Sequence, residues 1–522
     1  MKEVLTAEEM RQRDERATSL FAIPSLLLME SAGRSVVETI EREIGSLRSK
    51  SLLIFCGKGN NGGDGFVAAR YALHSGAEVT VVLLSNPTEF TGDLKTNFDI
   101  LRRSSHHHLR IVRSFSASFR SVHYDGIVDA MFGISFHGAL TGEYAKIAKW
   151  INAQRKSFVV AVDISSGCNA TTGEVQTIAV KADVTVTMGR PKTGMFLGKG
   201  TEHSGKIAVV DIEIPSVPLK RNSATFLVEE DDVIEQLPRR PRTANKNSAG
   251  KIFVLAGSKG LTGAALLSSS SALKSGAGLV VLGIPEKVFS SIARRTLEVM
   301  PMPLPSTADG TFALAALPQI YKRIAWADVV ILGPGISLNA ETKKVVHDIV
   351  LHSAKPLVID ADGLNALSED VPLLLKRKSK PVILTPHIGE FSRLVKLPPE
   401  EIETNKLEIA RSFAKRFNVV LVLKGAPTVI AAANGTAFIN STGNAGMATA
   451  GSGDVLSGIV AALLGQKMEP TAAAFASVFI HGMAGDIAAL KIGEMGMVAG
   501  DIAHTIPHAL HYLMEESHGT SN

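Results

Sequence analysis

Residues 51–84 read SLLIFCGKGNNGGDGFVAARYALHSGAEVTVVLL. An apolar run, a glycine-rich loop, an amphipathic segment and a β-branched run follow one another directly, which is the order of a parallel strand–helix–strand unit. The alternation continues through GIVDAMF (126–132) and FVVAVDI (158–164), and ADVTVTM (182–188) and KIAVVDIEI (206–214) close the block near Pro215. Strands that are apolar almost throughout are buried on both faces, so a parallel sheet covered by helices is predicted.

Working outward, residues 216–250 turn polar, basic and proline-rich (SVPLKRN, QLPRRPRTANKNSAG), as a connection between domains does. A second alternation then runs through KIFVLAG, GLVVLGIP, ADVVILGPG, PLVIDADG, PVILTPH and VVLVLKG. Asn434-Gly435 between two β-rich runs signals a hairpin, and the chain ends in small-residue helices. The expected class is α/β with two domains: an N-terminal Rossmann-like three-layer parallel sheet over 1–215, a linker at 216–226, and a second doubly wound domain over 227–522. A chain of 522 residues exceeds what one hydrophobic core serves, in agreement with that division.

Composition narrows the function classes. A net charge of +5 is small for this length, and no Lys/Arg stripe with interleaved aromatics marks a nucleic-acid track. Two cysteines, Cys56 and Cys168, make neither a disulfide framework nor a zinc site, and a cytoplasmic protein is expected. The charged N-terminus MKEVLTAEEMRQRDERATSLF lacks a secretory h-region, and apolar stretches such as Ala472 to Ile480 fall short of the roughly 20 residues that span a bilayer. The run His106 to His108 reads as a surface loop rather than a metal site.

In the first block, CGKGNNGGDG lies between Phe55 and a helix expected to start near Gly65, where backbone N–H groups approach an anion at a helix N-terminus. Gly57, Gly59 and Gly62 satisfy G-x-G-x-x-G, yet the next strand ends in Ser85-Asn86 without the acid that grips a ribose, so a redox dinucleotide site is disfavoured. Asn60, Asn61 and Asp64 add polar groups that a plain turn does not need. Two further strands end in acids, Asp129 and Asp163, and ligands in open α/β sheets bind beyond such carboxyl ends. Together they suggest a hard-cation site and a carboxylate for proton transfer, although either acid alone also suits a turn or cap.

GKGNNGGDG, VDAMFGIS, VDISSG and the early IPSLLLMESAG resemble the YjeF N-terminal domain, the NAD(P)H-hydrate epimerase, over residues 1 to about 215. The resemblance implies that Asn60, Asp129 and Ser166 ligate potassium (K+). It implies that Gly59, Asn60, Asn61, Gly62 and Gly63, with Gly133, Ile134, Ser135, Phe136, His137, Gly138 and Ala139, hold the substrate, that Tyr144 lines the pocket, and that Asp163 is the acid/base. Lys192 reads equally as a polar group near the ring and as a solvent-facing loop lysine.

In the second block, NAGMATAGSGDVLSG (444–458) leads two glycines into a helix with Asp454 in its first turn, where free N–H groups and the helix dipole favour phosphoryl charge. VLKGAPTVI, GPG (333–335), DADGLN (360–365) and TPHIGE (385–390) also follow strands, and four loops facing one cleft are expected. With the entry GKIFVLAGSKGLTGAA, these segments resemble the YjeF C-terminal domain, the ADP- or ATP-dependent NAD(P)H-hydrate dehydratase of the ribokinase-like superfamily, over about 227–515; ANKNSAG departs from the usual glycine-rich lead-in. The resemblance implies nucleotide contacts at Lys424, Gly425, Ala426, Pro427, Thr428, Ala445, Gly446, Met447, Gly451, Ser452 and Gly453. It implies substrate contacts at Gly335, His387 and Glu390, and Asp454 as the base. Glu390 is as well explained as a helix cap. Mg2+ is expected with ADP or ATP, and a homo-oligomer by resemblance.

Two rival readings remain at this level: an ordinary small-molecule kinase in the second domain, and a silent binding module in the first. The fold alone excludes neither.

Overall fold

The computed structural model describes residues 1–104, 107–115, 119, 122–212, 214, 224–377 and 381–519. They form two compact units: Glu3–Arg221, and Asn222–Asn522 together with Met1–Lys2. Each is described by itself.

The first unit holds seven parallel strands in the spatial order Leu109–Val112, Glu78–Leu83, Ser51–Cys56, Gly126–Ala130, Phe158–Val162, Val184–Met188 and Lys206–Val210. Ser51–Cys56 pairs on one side with Glu78–Leu83 and on the other with Gly126–Ala130, so the winding direction reverses at its edge. The pleat explains the continuous apolar run: Leu52, Ile54 and Cys56 enter one buried cluster, while Leu53 and Phe55 enter another on the opposite face.

The helix after the glycine loop spans Asn60–His74, five residues earlier than the start expected near Gly65. The glycines are helical because the helix lies almost on the backbone beneath it. A Cβ at Gly62 would stand 2.1 Å from the Gly57 carbonyl oxygen, and one at Gly65 would stand 2.8 Å from both Ala130 Cβ and Cys56 Sγ. Gly62→Ala is therefore expected to destabilise this unit by about 3 kcal/mol, read as a lower first transition in thermal unfolding.

In the second unit, ten strands follow in the order Thr225–Leu227, Ala437–Ile439, Val429–Ala431, Val420–Leu423, Val382–Leu384, Leu357–Ile359, Val329–Leu332, Lys251–Leu255, Leu279–Pro285 and Met300–Leu304. Val429–Ala431 and Ala437–Ile439 pair antiparallel around Asn434-Gly435, as that dipeptide predicts. Seven consecutive strands from Val420–Leu423 to Met300–Leu304 are parallel neighbours, and their direction of winding reverses between Lys251–Leu255 and Val329–Leu332. The apolar helix Pro470–Ile492 is longer than the stretch read from the sequence. By length and composition it is able to cross a membrane, but 72% of its most apolar window is buried against its own domain. His107 and His108 lie in a turn before Leu109–Val112, His106 falls outside the described residues, and no group of three or more His, Cys, Asp or Glu able to hold a metal occurs among the described residues.

Candidate active sites

At the reversal point of the first sheet lies a cavity of about 1000 Å³. Gly59, with Asn60 and Asn61 at the start of the helix Asn60–His74, lines it on one side, and the loop after Gly126–Ala130 contributes Gly133, Ile134, Ser135, Phe136 and His137. Asn61 Nδ2 donates to the Phe132 carbonyl at 3.0 Å, which ties the two loops together. Other residues expected at the substrate are placed behind this wall: Gly62 and Gly63 pack the helix inward, and Tyr144 donates its hydroxyl to the Leu84 carbonyl at 3.2 Å. Gly138 turns with φ +88° and, like Ala139, follows the lining segment.

Asp163 closes the cavity floor. It follows the last residue of Phe158–Val162 with φ +67°, a left-handed conformation that costs a non-glycine residue energy and aims the carboxylate out of the strand line. Its Oδ1 accepts from Lys192 Nζ, from Met188 N at 3.2 Å and from Thr187 Oγ1 at 3.4 Å. Lys192 is 0% exposed, and its ammonium also donates to Thr187 Oγ1 at 2.9 Å and the Met188 carbonyl at 3.3 Å. The loop lysine is thus a buried partner of the acid. Among the other carboxylates that line the same cavity, Asp14 and Asp64 are pushed up by burial; Asp14 reaches about 6.

The three residues expected to hold potassium divide. Asp129 is fully buried, and Oδ1 accepts from Ser166 Oγ at 2.6 Å and Met131 N at 3.2 Å, while Oδ2 accepts from Ser166 N at 2.8 Å. Burial pushes this acid up to about 6 against the hydrogen bonds from Ser166 and Met131. Asn60 is exposed at the first position of its helix. Ser166 Oγ also lies 3.4 Å from the Phe132 carbonyl oxygen, so a carboxylate, a hydroxyl and one peptide oxygen stand together, and oxygen ligands suit a hard cation.

In the second unit, Gly451 caps the helix Ser452–Gly465 with φ +92°, and Asp454 sits in its first turn. Lys424 Nζ donates to Asp360 Oδ1 at 2.9 Å and stands 3.9 Å from Glu390 Oε2. A Cβ at Gly453 would come within 2.8 Å of that ammonium, so the glycine lets Lys424 reach the helix start. Burial, with the charges of Asp360 and Glu390, raises Asp454 to about 7 against the lowering effect of Lys424. Ser452 Oγ lies 3.3 Å from Nε2 of buried His481, which burial drives down to about 4 and keeps neutral near pH 7.

Glu390 does cap a helix: it accepts from His387 N at 2.8 Å, and His387 Nδ1 accepts from Gly389 N and Glu390 N at 3.0 and 3.3 Å. Lys424 N donates to the Pro386 carbonyl at 2.8 Å, joining the 385–390 and 424–428 loops. Gly335, φ +64°, accepts from Ser258 Oγ at 2.8 Å, joining the loops after the two strands at the reversal point. Gly425, the cis Ala426-Pro427 bond and Thr428 lie over the Lys406 ammonium, which donates to the Pro427 carbonyl at 2.9 Å; Thr428 Oγ1 donates to the Gly425 carbonyl at 3.1 Å. The turn Ala445–Met447 is held elsewhere, through Asn444, whose Oδ1 accepts from Gly446 N at 3.0 Å and whose amide donates to Asp486 at 2.8 Å. Asp360 and His481 were not singled out by sequence reading. The end of PLVIDADG was the available signal for Asp360, while His481 lies in an uninterrupted apolar helix that carries none.

Two family models match the chain: YjeF-related protein N-terminus over residues 25–194, and NAD(P)H-hydrate dehydratase over residues 252–508. The bifunctional NAD(P)H-hydrate repair enzyme Nnr of Moorella thermoacetica is 42% identical over 518 residues, covering 98% of this chain and 97% of that one. The protein of the same name from Thermofilum pendens is 38% identical, covering 98% and 97%. Among solved structures, the ADP/ATP-dependent NAD(P)H-hydrate dehydratase from Bacillus subtilis co-crystallised with ATP/Mg2+ is 29% identical, with TM-score 0.48, and covers 55% of this chain and 98% of that chain.

Proposed function

Because this chain belongs to the family of bifunctional NAD(P)H-hydrate repair enzymes, we propose that it interconverts the R and S hydrates of NADH and NADPH and dehydrates the S form with ADP or ATP. The epimerase occupies 1–215 and the dehydratase 227–522; the end of the linker expected at 216–226 belongs with the dehydratase, since Thr225 and Phe226 already pair with Ala437 and Phe438 in its sheet. The observation that carries the reading is the meeting of Asp454, Lys424 and Asp360 at the start of a glycine-capped helix, a base beside an anion-binding helix end.

In the dehydratase, Asp454 takes the proton of the C6 hydroxyl, and that oxygen receives the terminal phosphoryl group of the nucleotide. The lone pair of the ring nitrogen then expels phosphate to give an N1=C6 iminium, and loss of a C5 proton to the departing phosphate forms the C5=C6 bond and restores the dihydropyridine. The helix N–H group at Gly453, with Lys424, faces the phosphoryl charge as it develops. His387, Glu390 and Gly335 bound the hydrate, and 424–428 with 445–447 bound the nucleotide. Mg2+ would accompany the nucleotide phosphates rather than sit in a protein cage, since one or two carboxylates suffice for that mode; Asp360 and Glu390 are the nearest candidates.

In the epimerase, Asp163 moves a proton at the C6 hydroxyl inside the 1000 Å³ cavity, with Lys192 holding its Oδ1. Asp129, Ser166 and Asn60 would hold K+, which supplies countercharge to the buried Asp129 carboxylate. Replacing potassium by lithium is expected to slow recovery of the R hydrate by at least about tenfold and leave S recovery nearly unchanged, checked by reduced-nicotinamide absorbance with each pure isomer. Both cysteines are buried and unpaired, which supports a reducing, cytoplasmic setting. A homo-oligomer is the expected assembly.

The test of the whole reading is absorbance recovery from mixed NADHX isomers with ADP, with ATP and with no nucleotide. Complete nucleotide-dependent recovery supports both activities. A stable phosphorylated product without recovery points instead to a small-molecule kinase.

A further inference from the structure

Asp14 lies where its helix ought to carry a hydrophobic residue. In Ala7–Phe21 the positions 7, 10, 14 and 17 share one face at helical spacing, and Ala7, Met10 and Ala17 are buried there. The carboxylate of Asp14 points with that face into the epimerase cavity, and its Oδ1 is buried without a hydrogen-bond partner. A buried acceptor left unmade costs about 1–3 kcal/mol, so this acid does not serve the fold.

Its surroundings are proton-transfer groups from three other parts of the domain. Asp163 follows one strand, Lys192 lies in the loop after Val184–Met188, and Asp64 belongs to the helix Asn60–His74. Arg13 and Glu15 act on it from its own helix, and Arg11, Lys58, Asp93 and His137 also line the cavity. Lys192 is committed to Asp163, Thr187 and Met188.

We propose that Asp14 is the second proton-transfer residue of the epimerase, serving the ring nitrogen of the hydrate while Asp163 serves the C6 hydroxyl. This rests on the epimerase reading above. In the opening step Asp163 accepts the hydroxyl proton, the oxygen pair forms the C6=O bond, the C6–N1 bond breaks with its electrons going to nitrogen, and Asp14 gives that nitrogen a proton. Rotation about C5–C6 presents the other face of the aldehyde. The nitrogen then attacks C6, returns its proton to Asp14, and the new oxygen takes a proton back from Asp163. Nothing is consumed and no cofactor is needed. Burial places Asp14 at about 6, where a carboxyl group both holds and releases a proton near neutral pH.

The test uses the full-length protein with excess ADP and each purified NADHX isomer. S recovery reports the dehydratase, and R recovery requires epimerisation first. Asp14→Asn is expected to slow R recovery by at least about fiftyfold with S recovery unchanged. Wild-type R recovery is expected to decline as pH rises above about 6, and the variant is expected to lose that limb. Asp14→Leu is expected to leave the thermal transition of the N-terminal unit unchanged or higher, which separates lost chemistry from lost folding. R recovery within threefold of wild type in Asp14→Asn, or a slowed rate that keeps the wild-type pH profile, overturns the proposal. If Asp163→Asn leaves R recovery intact as well, the epimerase reading itself fails; if Asp163→Asn abolishes it and Asp14→Asn does not, only the role of Asp14 fails.

Discussion

Asp454→Asn is expected to lower nucleotide-dependent dehydration of the S hydrate by at least about a thousandfold, with R-to-S epimerisation intact. Asparagine matches the carboxylate in shape and still suits the first turn of Ser452–Gly465, so the glycine cap and the N–H groups of the anion site persist. What disappears is the group able to take the hydroxyl proton. The wild-type pH dependence follows from the same site. Burial, with Asp360 and Glu390 alongside, holds Asp454 at about 7. Only the deprotonated carboxylate is a base, so dehydration is expected to rise with pH, about tenfold per unit below pH 7, and to level above it. Initial rates from pH 5.5 to 8.5 check the curve. Full dehydration in Asp454→Asn, or the same rising limb in the variant's residual rate, would assign the base elsewhere.

Asp163→Asn is expected to show the opposite split: R recovery falls at least about a hundredfold and S recovery is unchanged. It also carries a structural cost that Asp454→Asn does not. Lys192 is 0% exposed and its ammonium pairs with Asp163, so removing the acid leaves a buried cation whose other partners are a hydroxyl and a carbonyl. Breaking a buried pair from one side costs about 3–5 kcal/mol, a fall on the order of 10 °C in the transition of a domain this size. Asp163→Asn with Lys192→Met is expected to regain most of that stability and none of the epimerisation. Calorimetry and single-isomer assays on the two variants separate the effects. Epimerisation retained in Asp163→Asn would leave the first domain a binding module.

The strand ends were legible because a parallel sheet covered on both faces writes its strands as unbroken apolar runs, and the polar residue that ends each run is exposed by contrast. Asp129, Asp163 and Lys424 came from that contrast, while Asp454 came from the two glycines that lead into its helix. Asp14 and Lys192 did not. Asp14 sits in a helix segment dense with charge, where one more acid carries no signal until the helix is docked and its buried face is known. Lys192 sits in a loop, where no periodicity tells inward from outward. The helix start was misplaced for a related reason: Gly62, Gly63 and Gly65 read as loop residues by propensity, whereas contact with Gly57, Met29 and Cys56 makes glycine the residue that fits inside that helix.

From the sequence alone came two doubly wound domains, the loops that follow their strands, and the acids placed to work there, since each of these depends on residues close together in the chain. Only the tertiary structure decided which acids face one another. Asp14, Asp64, Asp163 and Lys192 come from four separate segments of the first domain, and Asp360, Glu390, Lys424 and Asp454 from four of the second. Their burial and mutual charge set their proton affinities, and both are properties of the folded enclosure rather than of any stretch of chain.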